Sequence, residues 1–93
     1  MHVGTLIAEI SIPGADSLKD KRQVIKSLLD TLRRKFNVSA AEVEQNDIWR
    51  RATLGFAVVS NDRALVGEVL DKVVQEIDKE LRCELTHREQ EIY

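Results

Sequence analysis

The sequence contains few of the residues that build disulfide-rich, metal-binding or membrane-spanning proteins. Its 93 residues include one cysteine, one proline and one tryptophan, and aromatic residues make up 4% of the chain. A single cysteine, Cys83, excludes an intramolecular disulfide and a multi-cysteine metal site. No apolar run approaches the roughly 18–20 residues that a transmembrane helix needs, and no basic segment followed by an apolar one starts the chain as in a signal peptide. We therefore expect a cytoplasmic protein with an aliphatic core and no membrane contact.

Length and composition predict one small globular domain that spans residues 1–93. The chain is 43% hydrophobic and 32% charged, as ordinary folded domains are and disordered segments are not. A domain of this size buries only about 60–65% of the surface of its unfolded chain. We therefore expect self-association, as a dimer, to supplement the core.

Hydrophobic periodicity predicts six elements in the order βαββαβ. They are a strand at 3–12, a helix at 17–37, strands at 38–44 and 51–60, a helix at 62–82 and a strand at 83–92. Right-handed crossovers in the two βαβ halves give an α+β ferredoxin-like sandwich, in which a four-stranded antiparallel sheet carries both helices on one face. This fold hosts many unrelated activities, so function has to be argued from a site.

The alternation of the first strand assigns its two faces. One face has the aliphatic residues Leu6, Ala8, Ile10 and Ile12, which we expect in the core. The apolar stripe of the second helix is Val66, Val69, Leu70, Val73, Ile77 and Leu81. Within that helix Gly67 lowers helix stability, and we expect it to mark a site of close packing.

The first helix carries most of the positive charge. Between Ser17 and Phe36 there are seven basic and two acidic residues, a net charge of +5 in a chain whose total is −2, so the remainder carries −7. A row of cations on one helix face would bind RNA phosphates mainly through counterion release. The residues that we assign to nucleic-acid binding are Lys19, Lys21, Arg22, Lys26 and Arg33 on the helix, with Arg50 and Arg51 before and in the third strand.

A solvated helix surface is the alternative interpretation of this basic row. Its side chains could lean on the sheet or pair with the second helix, which has six acidic and four basic residues over positions 62–82. Against this, cations in the first turn of a helix oppose the macrodipole. We find no structural need for Lys19, Lys21 or Arg22, so these residues are assigned to function first.

Two other surfaces are candidates for binding. Trp49 lies in a short polar loop next to two arginines, where it could stack on a base, pin the loop to the sheet or fill an interface. The sheet face opposite the helices is half apolar and could be buried in a homodimer. The interface residues assigned to that face are Val3, Thr5, Ile7, Ala57 and Val59.

Catalytic and metal-binding patterns are weak. No nucleophile and base have helpful spacing and no glycine-rich phosphate loop occurs, so we expect a protein that is not an enzyme and has no cofactor. His87, Glu89 and Glu91 alternate on the last strand, but without a compact ligand motif they predict no metal site. Pro13-Gly14 before Leu18 faintly resembles the turn of ACT-like small-ligand sensors, which is a further alternative.

Three segments resemble those of the YlxP-like family of small bacterial proteins. They are Ser17-Leu18-Lys19-Asp20-Lys21-Arg22, Phe36-Asn37-Val38-Ser39-Ala40-Ala41-Glu42-Val43 and Trp49-Arg50-Arg51-Ala52. The resemblance covers essentially the whole chain and implies a ferredoxin-like domain of unknown function. The family's genes often neighbour those of transcription-elongation and ribosome-maturation factors, which implies an RNA or ribosome partner. The resemblance to this family implies no catalytic residues.

Overall fold

The computed structural model describes all 93 residues, and its six elements follow the predicted order. The strands are β1 (His2–Ser11), β2 (Ser39–Glu44), β3 (Arg51–Ser60) and β4 (Glu84–Ile92), and the helices are α1 (Leu18–Lys35) and α2 (Arg63–Lys79). The strands form one antiparallel sheet in the order β2-β3-β1-β4. Each βαβ half thus encloses a strand of the other half, and the predicted ferredoxin-like fold is confirmed.

Both helices begin at side-chain caps. Ser17 Oγ accepts a hydrogen bond from the amide of Asp20 (3.1 Å), as the sequence predicts. The carboxylate of Asp20 reaches back to the amide of Asp16 (3.0 Å), one residue before the cap. The carboxylate of Asp62 accepts from two amides at the start of α2. These contacts satisfy backbone N–H groups that have no partner within the helix.

The core lies between the helices and one face of the sheet. Leu6, Ala8 and Ile10 of β1 are fully buried, as predicted, and Leu54 and Phe56 of β3 lie beside them. Each large aliphatic side chain that is buried in this way contributes about 1.5–3 kcal/mol through the hydrophobic effect. The neighbouring positions on the strands face the other side of the sheet, where no helix covers them.

Close packing between α2 and the sheet occurs at Gly4 of β1. A Cβ atom at Gly4 would lie 2.3 Å from Val66 Cγ1 and 2.9 Å from Leu70 Cδ1, so nothing larger than glycine fits. The expectation of close packing at Gly67 is wrong, because a Cβ there would make an ordinary 3.5 Å contact with Ile92 Cδ1. Helix α2 packs on the sheet through Val66 and Leu70, and these two side chains require a glycine at position 4 of β1.

Both helices end earlier in the sequence than predicted. Helix α1 stops at Lys35, and Phe36 is already extended. Helix α2 stops at Lys79, so Leu81 falls in the following loop, where it is 97% exposed, and its assignment to the buried stripe is wrong.

Cys83 is buried, and burial raises the pKa of its thiol to about 11. No helix in the structure combines the length and the apolar character needed to cross a bilayer.

Candidate nucleic-acid interface

The solvent side of α1 presents a row of four exposed cations. We call Lys19, Arg22, Lys26 and Arg33 the basic row. These positions flank the buried stripe of Ile25 and Leu29, because residues on a helix are 100° apart and only one face can pack on the sheet. The guanidinium of Arg33 donates to the carbonyl oxygen of Ala40 in β2. The carboxyl-terminal end of the row therefore lies beside the edge strand β2.

The two ends of the basic row differ in how far their charge is neutralised. Asp30 lies 2.9 Å from Lys26 Nζ and 3.5 Å from Arg33 Nη1. The hydrogen bond from Lys26, above all, lowers the pKa of the Asp30 carboxyl. Lys19 and Arg22 make no ion pair and no hydrogen bond, so their charges are free. The amino-terminal half of the row therefore carries the cations without ion pairs, and the nearby carboxylates of Asp20 and Asp16 are bonded to a backbone amide and to Arg50.

Lys21 does not belong to the basic row, and its assignment to nucleic-acid binding is wrong. Its side chain is 1% exposed, and Nζ lies 2.8 Å from Glu42 Oε2 and donates to the carbonyl oxygen of Gln45 (2.6 Å). Lys21 follows Leu18 by three residues and precedes Ile25 by four, so it lies on the buried stripe. That spacing is a sequence signal that could have identified Lys21 as a structural lysine.

Arg50 joins two loops instead of extending the basic row. Its Nε donates to the carbonyl oxygen of Ala15 (3.0 Å), and its guanidinium lies 3.4 Å from Asp16 Oδ1. Its own carbonyl oxygen accepts from the amide of Ile12 (2.9 Å). The loop before β3 therefore lies against the segment that leads into α1, which is the proximity that a contribution from Arg50 requires. The charge of Arg50 is partly neutralised by its exposed ion pair with Asp16.

Arg51 and the basic row are on different sides of the sheet. Arg51 pairs in register with Ser11, and the next residue of β3, Ala52, is in the core. Because successive side chains of a strand point to opposite faces, Arg51 lies on the face away from α1. The structure therefore does not bring Arg51 together with the other assigned cations.

The loop between β2 and β3 displays apolar side chains. We call residues 45–50 the Trp49 loop. Trp49 is 51% exposed and Ile48 is half-exposed. Gln45 has a positive φ of 62°, and its side-chain amide donates to Thr53 Oγ1 (2.7 Å). The indole is therefore not buried in the core, and its stacking and interface roles both stay open.

The open face of the sheet, which no helix covers, brings the five predicted interface residues together. Val3 is opposite Val59 and Thr5 is opposite Ala57, with Ile7 next along β1. Val59 is 56% exposed and the others are partly covered. Glutamates of β4 border this apolar centre, since Glu91 is opposite Thr5 and Glu89 is opposite Ile7. The open face is thus apolar in the middle and acidic along β4.

Neither a metal centre nor a ligand is assigned to the remaining clusters. His87 Nε2 lies 3.2 Å from Glu89 Oε1 on the open face, and no group of three potential ligands is close enough to hold a metal ion. The Pro13-Gly14 turn borders a cavity of about 300 Å³ lined also by Val24 and Cys83. The ACT-like interpretation of this turn stays a prediction.

The fold and the surface define a class, a ferredoxin-like βαββαβ domain with a cationic first helix. Two designed proteins share the architecture. The de novo designed protein LFR1 1, which has a ferredoxin fold, superposes with a TM-score of 0.60 at 17% identity over 97% of this chain and 84% of its own. The de novo designed protein Foldit4 gives 0.55 at 16% identity over 100% and 97%. At such low identity these similarities show the fold alone.

The sequence places the chain within that class. A family model described as a protein of unknown function (DUF503) matches residues 3–90, and the chain belongs to this family. The uncharacterized protein YlxP of Bacillus subtilis (strain 168) is 40% identical over 76 residues, which cover 82% of this chain and 83% of that protein. The predicted YlxP-like family is therefore confirmed, and it is a family without an assigned activity.

Proposed function

We propose that this chain is a cytoplasmic, non-enzymatic module that binds RNA, on a ribosomal particle or its precursor, through the basic row of α1. One observation carries the proposal. Lys19 and Arg22 are exposed in the first turns of α1 and have no acidic partner, although the chain as a whole has a net charge of −2. Unpaired cations that stand together in an acidic protein favour an anionic ligand.

Electrostatics favours a ligand with several phosphates over a small anion. The basic row extends along α1 from Lys19 to Arg33, a rise of about 20 Å at 1.5 Å per residue. Asp30 neutralises part of the charge at the carboxyl-terminal end of the row, so the four cations and this aspartate together carry a charge of +3. Cations spread over such a length are typical of a surface that follows a phosphate backbone and releases its counterions.

Charge neutralisation tests the proposal. The test variant carries Lys19→Gln, Arg22→Gln and Lys26→Gln, and leaves Arg33 in place because it bonds to β2. The matched control removes three cations elsewhere, through Lys72→Gln, Lys79→Gln and Arg88→Gln. Both keep the helical content measured by circular dichroism.

Binding to purified small ribosomal subunits and to total RNA is then titrated in salt. The wild-type protein and the control give a log–log salt slope of about −2 to −3, as expected for about three phosphate contacts, and the test variant loses it. Equal slopes for the test variant and the control, or no RNA binding by the wild type, would contradict the proposal.

A second candidate function is assembly through the open face. The exposed Val59 and the adjacent Val3 favour it, because an apolar sheet face can be buried against a second copy. Sedimentation velocity at micromolar concentration tests it. A dimer that Val59→Lys converts to a monomer supports homodimerisation, and a monomeric wild-type protein rejects it.

A further inference from the structure

The Trp49 loop is held at both ends by the segment that forms the start of α1. At its beginning, Lys21 donates to the carbonyl oxygen of Gln45 (2.6 Å). At its end, Arg50 donates to the carbonyl oxygen of Ala15 (3.0 Å). These contacts fix the loop beside the helix turns that carry Lys19 and Arg22. The free cations and the exposed indole therefore belong to the same end of the molecule.

The first residue of the loop adopts a conformation that needs support. Gln45 has φ 62°, in the left-handed region that side chains with a Cβ atom rarely adopt. Two contacts hold it there, the ammonium of Lys21 on its carbonyl oxygen and the bond from its side-chain amide to Thr53. Lys21 is itself fixed by Glu42 in β2. A buried ion pair thus determines where the chain leaves the sheet and how the loop is presented.

The side chains that the loop presents match the chemistry of an unpaired nucleotide. Trp49 offers an indole that is 51% exposed, and Lys19 and Arg22 offer free positive charge at the same end of the domain. Aromatic stacking uses the face of a base, which is accessible in single-stranded RNA and covered in a duplex. Asp47 adds a negative charge to the loop. Because this charge repels a phosphate, it favours contact with a base at the tip of the loop.

We propose that the Trp49 loop is a stacking platform for an unpaired base of single-stranded RNA and that Lys21 is the positioning residue that holds the platform. This inference rests on the proposed RNA-binding function and narrows its ligand to single-stranded segments. The basic row supplies affinity through phosphates, and Trp49 supplies the discrimination between single strands and duplexes.

Tryptophan fluorescence tests the platform directly, since Trp49 is the only tryptophan of the chain. The probes are a single-stranded RNA of about 12 nucleotides, within the usual range of site sizes, and a hairpin duplex of the same composition. Stacking quenches the indole emission with the single strand and not with the duplex. Trp49→Leu weakens single-strand binding by about 5- to 150-fold, which is the range for one stacked base, and leaves the salt slope unchanged. Trp49→Phe restores part of the loss.

The positioning role of Lys21 is tested with Lys21→Met combined with Glu42→Leu, so that no buried charge is left unpaired. We expect a folded protein that keeps the salt slope and loses both the quenching by the single strand and the preference over the duplex. Val59→Ala, on the open face, is the control and changes neither property.

The outcomes separate this inference from the function on which it rests. Salt-dependent binding without quenching, and with equal affinity for both probes, overturns the stacking platform and leaves the basic row as the RNA site. Unchanged quenching in the Lys21/Glu42 double variant overturns the positioning role. Absence of binding to either probe overturns the inference together with the proposed function.

Discussion

The buried ion pair between Lys21 and Glu42 predicts an order of destabilisation. The side chain of Lys21 is 1% exposed and that of Glu42 is 16% exposed. Glu42→Leu leaves the ammonium without its carboxylate and without access to water, which costs about 3–5 kcal/mol. Lys21→Met leaves Glu42 Oε2 buried, but the rest of that side chain still reaches water, so the cost is that of one lost charged hydrogen bond and a partly hydrated carboxylate, about 2 kcal/mol. Glu42→Leu is therefore the more damaging substitution.

The double variant separates an ion-pair effect from simple loss of packing. Methionine and leucine together replace the pair with apolar groups of similar volume, which is often neutral to within about 1 kcal/mol. The two single effects then exceed the effect of the double variant by about 3 kcal/mol or more. Urea unfolding followed by circular dichroism at neutral pH measures all four proteins. The reasoning is refuted if Lys21→Met costs as much as Glu42→Leu or if the single effects add.

Three further predictions concern stability and reactivity. Gly4→Ala destabilises the protein by about 1–3 kcal/mol through the clash with Val66, whereas Gly67→Ala stabilises it by about 0.5–1 kcal/mol, and chemical denaturation shows opposite shifts of the midpoint. Asp62→Ala removes the cap of α2 and costs about 1 kcal/mol, measured in the same way. Because burial raises the pKa of Cys83 to about 11 from 9.0, the thiol stays unreactive towards iodoacetamide at pH 8 until the protein unfolds. Its contribution to stability is complete below pH 9 and is lost as the pH rises towards 11, a dependence that Cys83→Ala removes.

The strands and their faces follow from the sequence because their alternation is regular and each face has one environment. Leu6, Ala8 and Ile10 are buried and Thr5 and Ile7 are not, as the period of two requires. Element ends are less well determined. Leu81 continues the apolar period of α2, yet the helix stops at Lys79 before it. A hydrophobic pattern marks which positions would be buried in a helix, and it does not state where the helix ends.

The candidate site is only half predictable because charge type does not reveal burial. Lys21 looks like its neighbours Lys19 and Arg22 in the sequence, and it is the one that is buried against Glu42. Its spacing from Leu18 and Ile25 indicates the buried face of α1, but its ionic partner could not be named without the structure, because Glu42 of β2 is 21 residues away along the chain. The partners of Arg50 were likewise set by tertiary structure, since two separate loops meet at the start of α1.

The position of β1 in the sheet has a consequence for how the protein folds. Strand β1 is synthesised first, yet it is central and its second neighbour is β4, so that Gly4 pairs with Ile92 across almost the full length of the chain. Until β4 has left the ribosome, β1 has one unpaired edge and the core cannot close. Contacts between residues so distant in sequence slow folding, so we expect this domain to fold more slowly than small helical domains of the same size. The sheet is therefore complete only when β4 has been synthesised and has paired with β1.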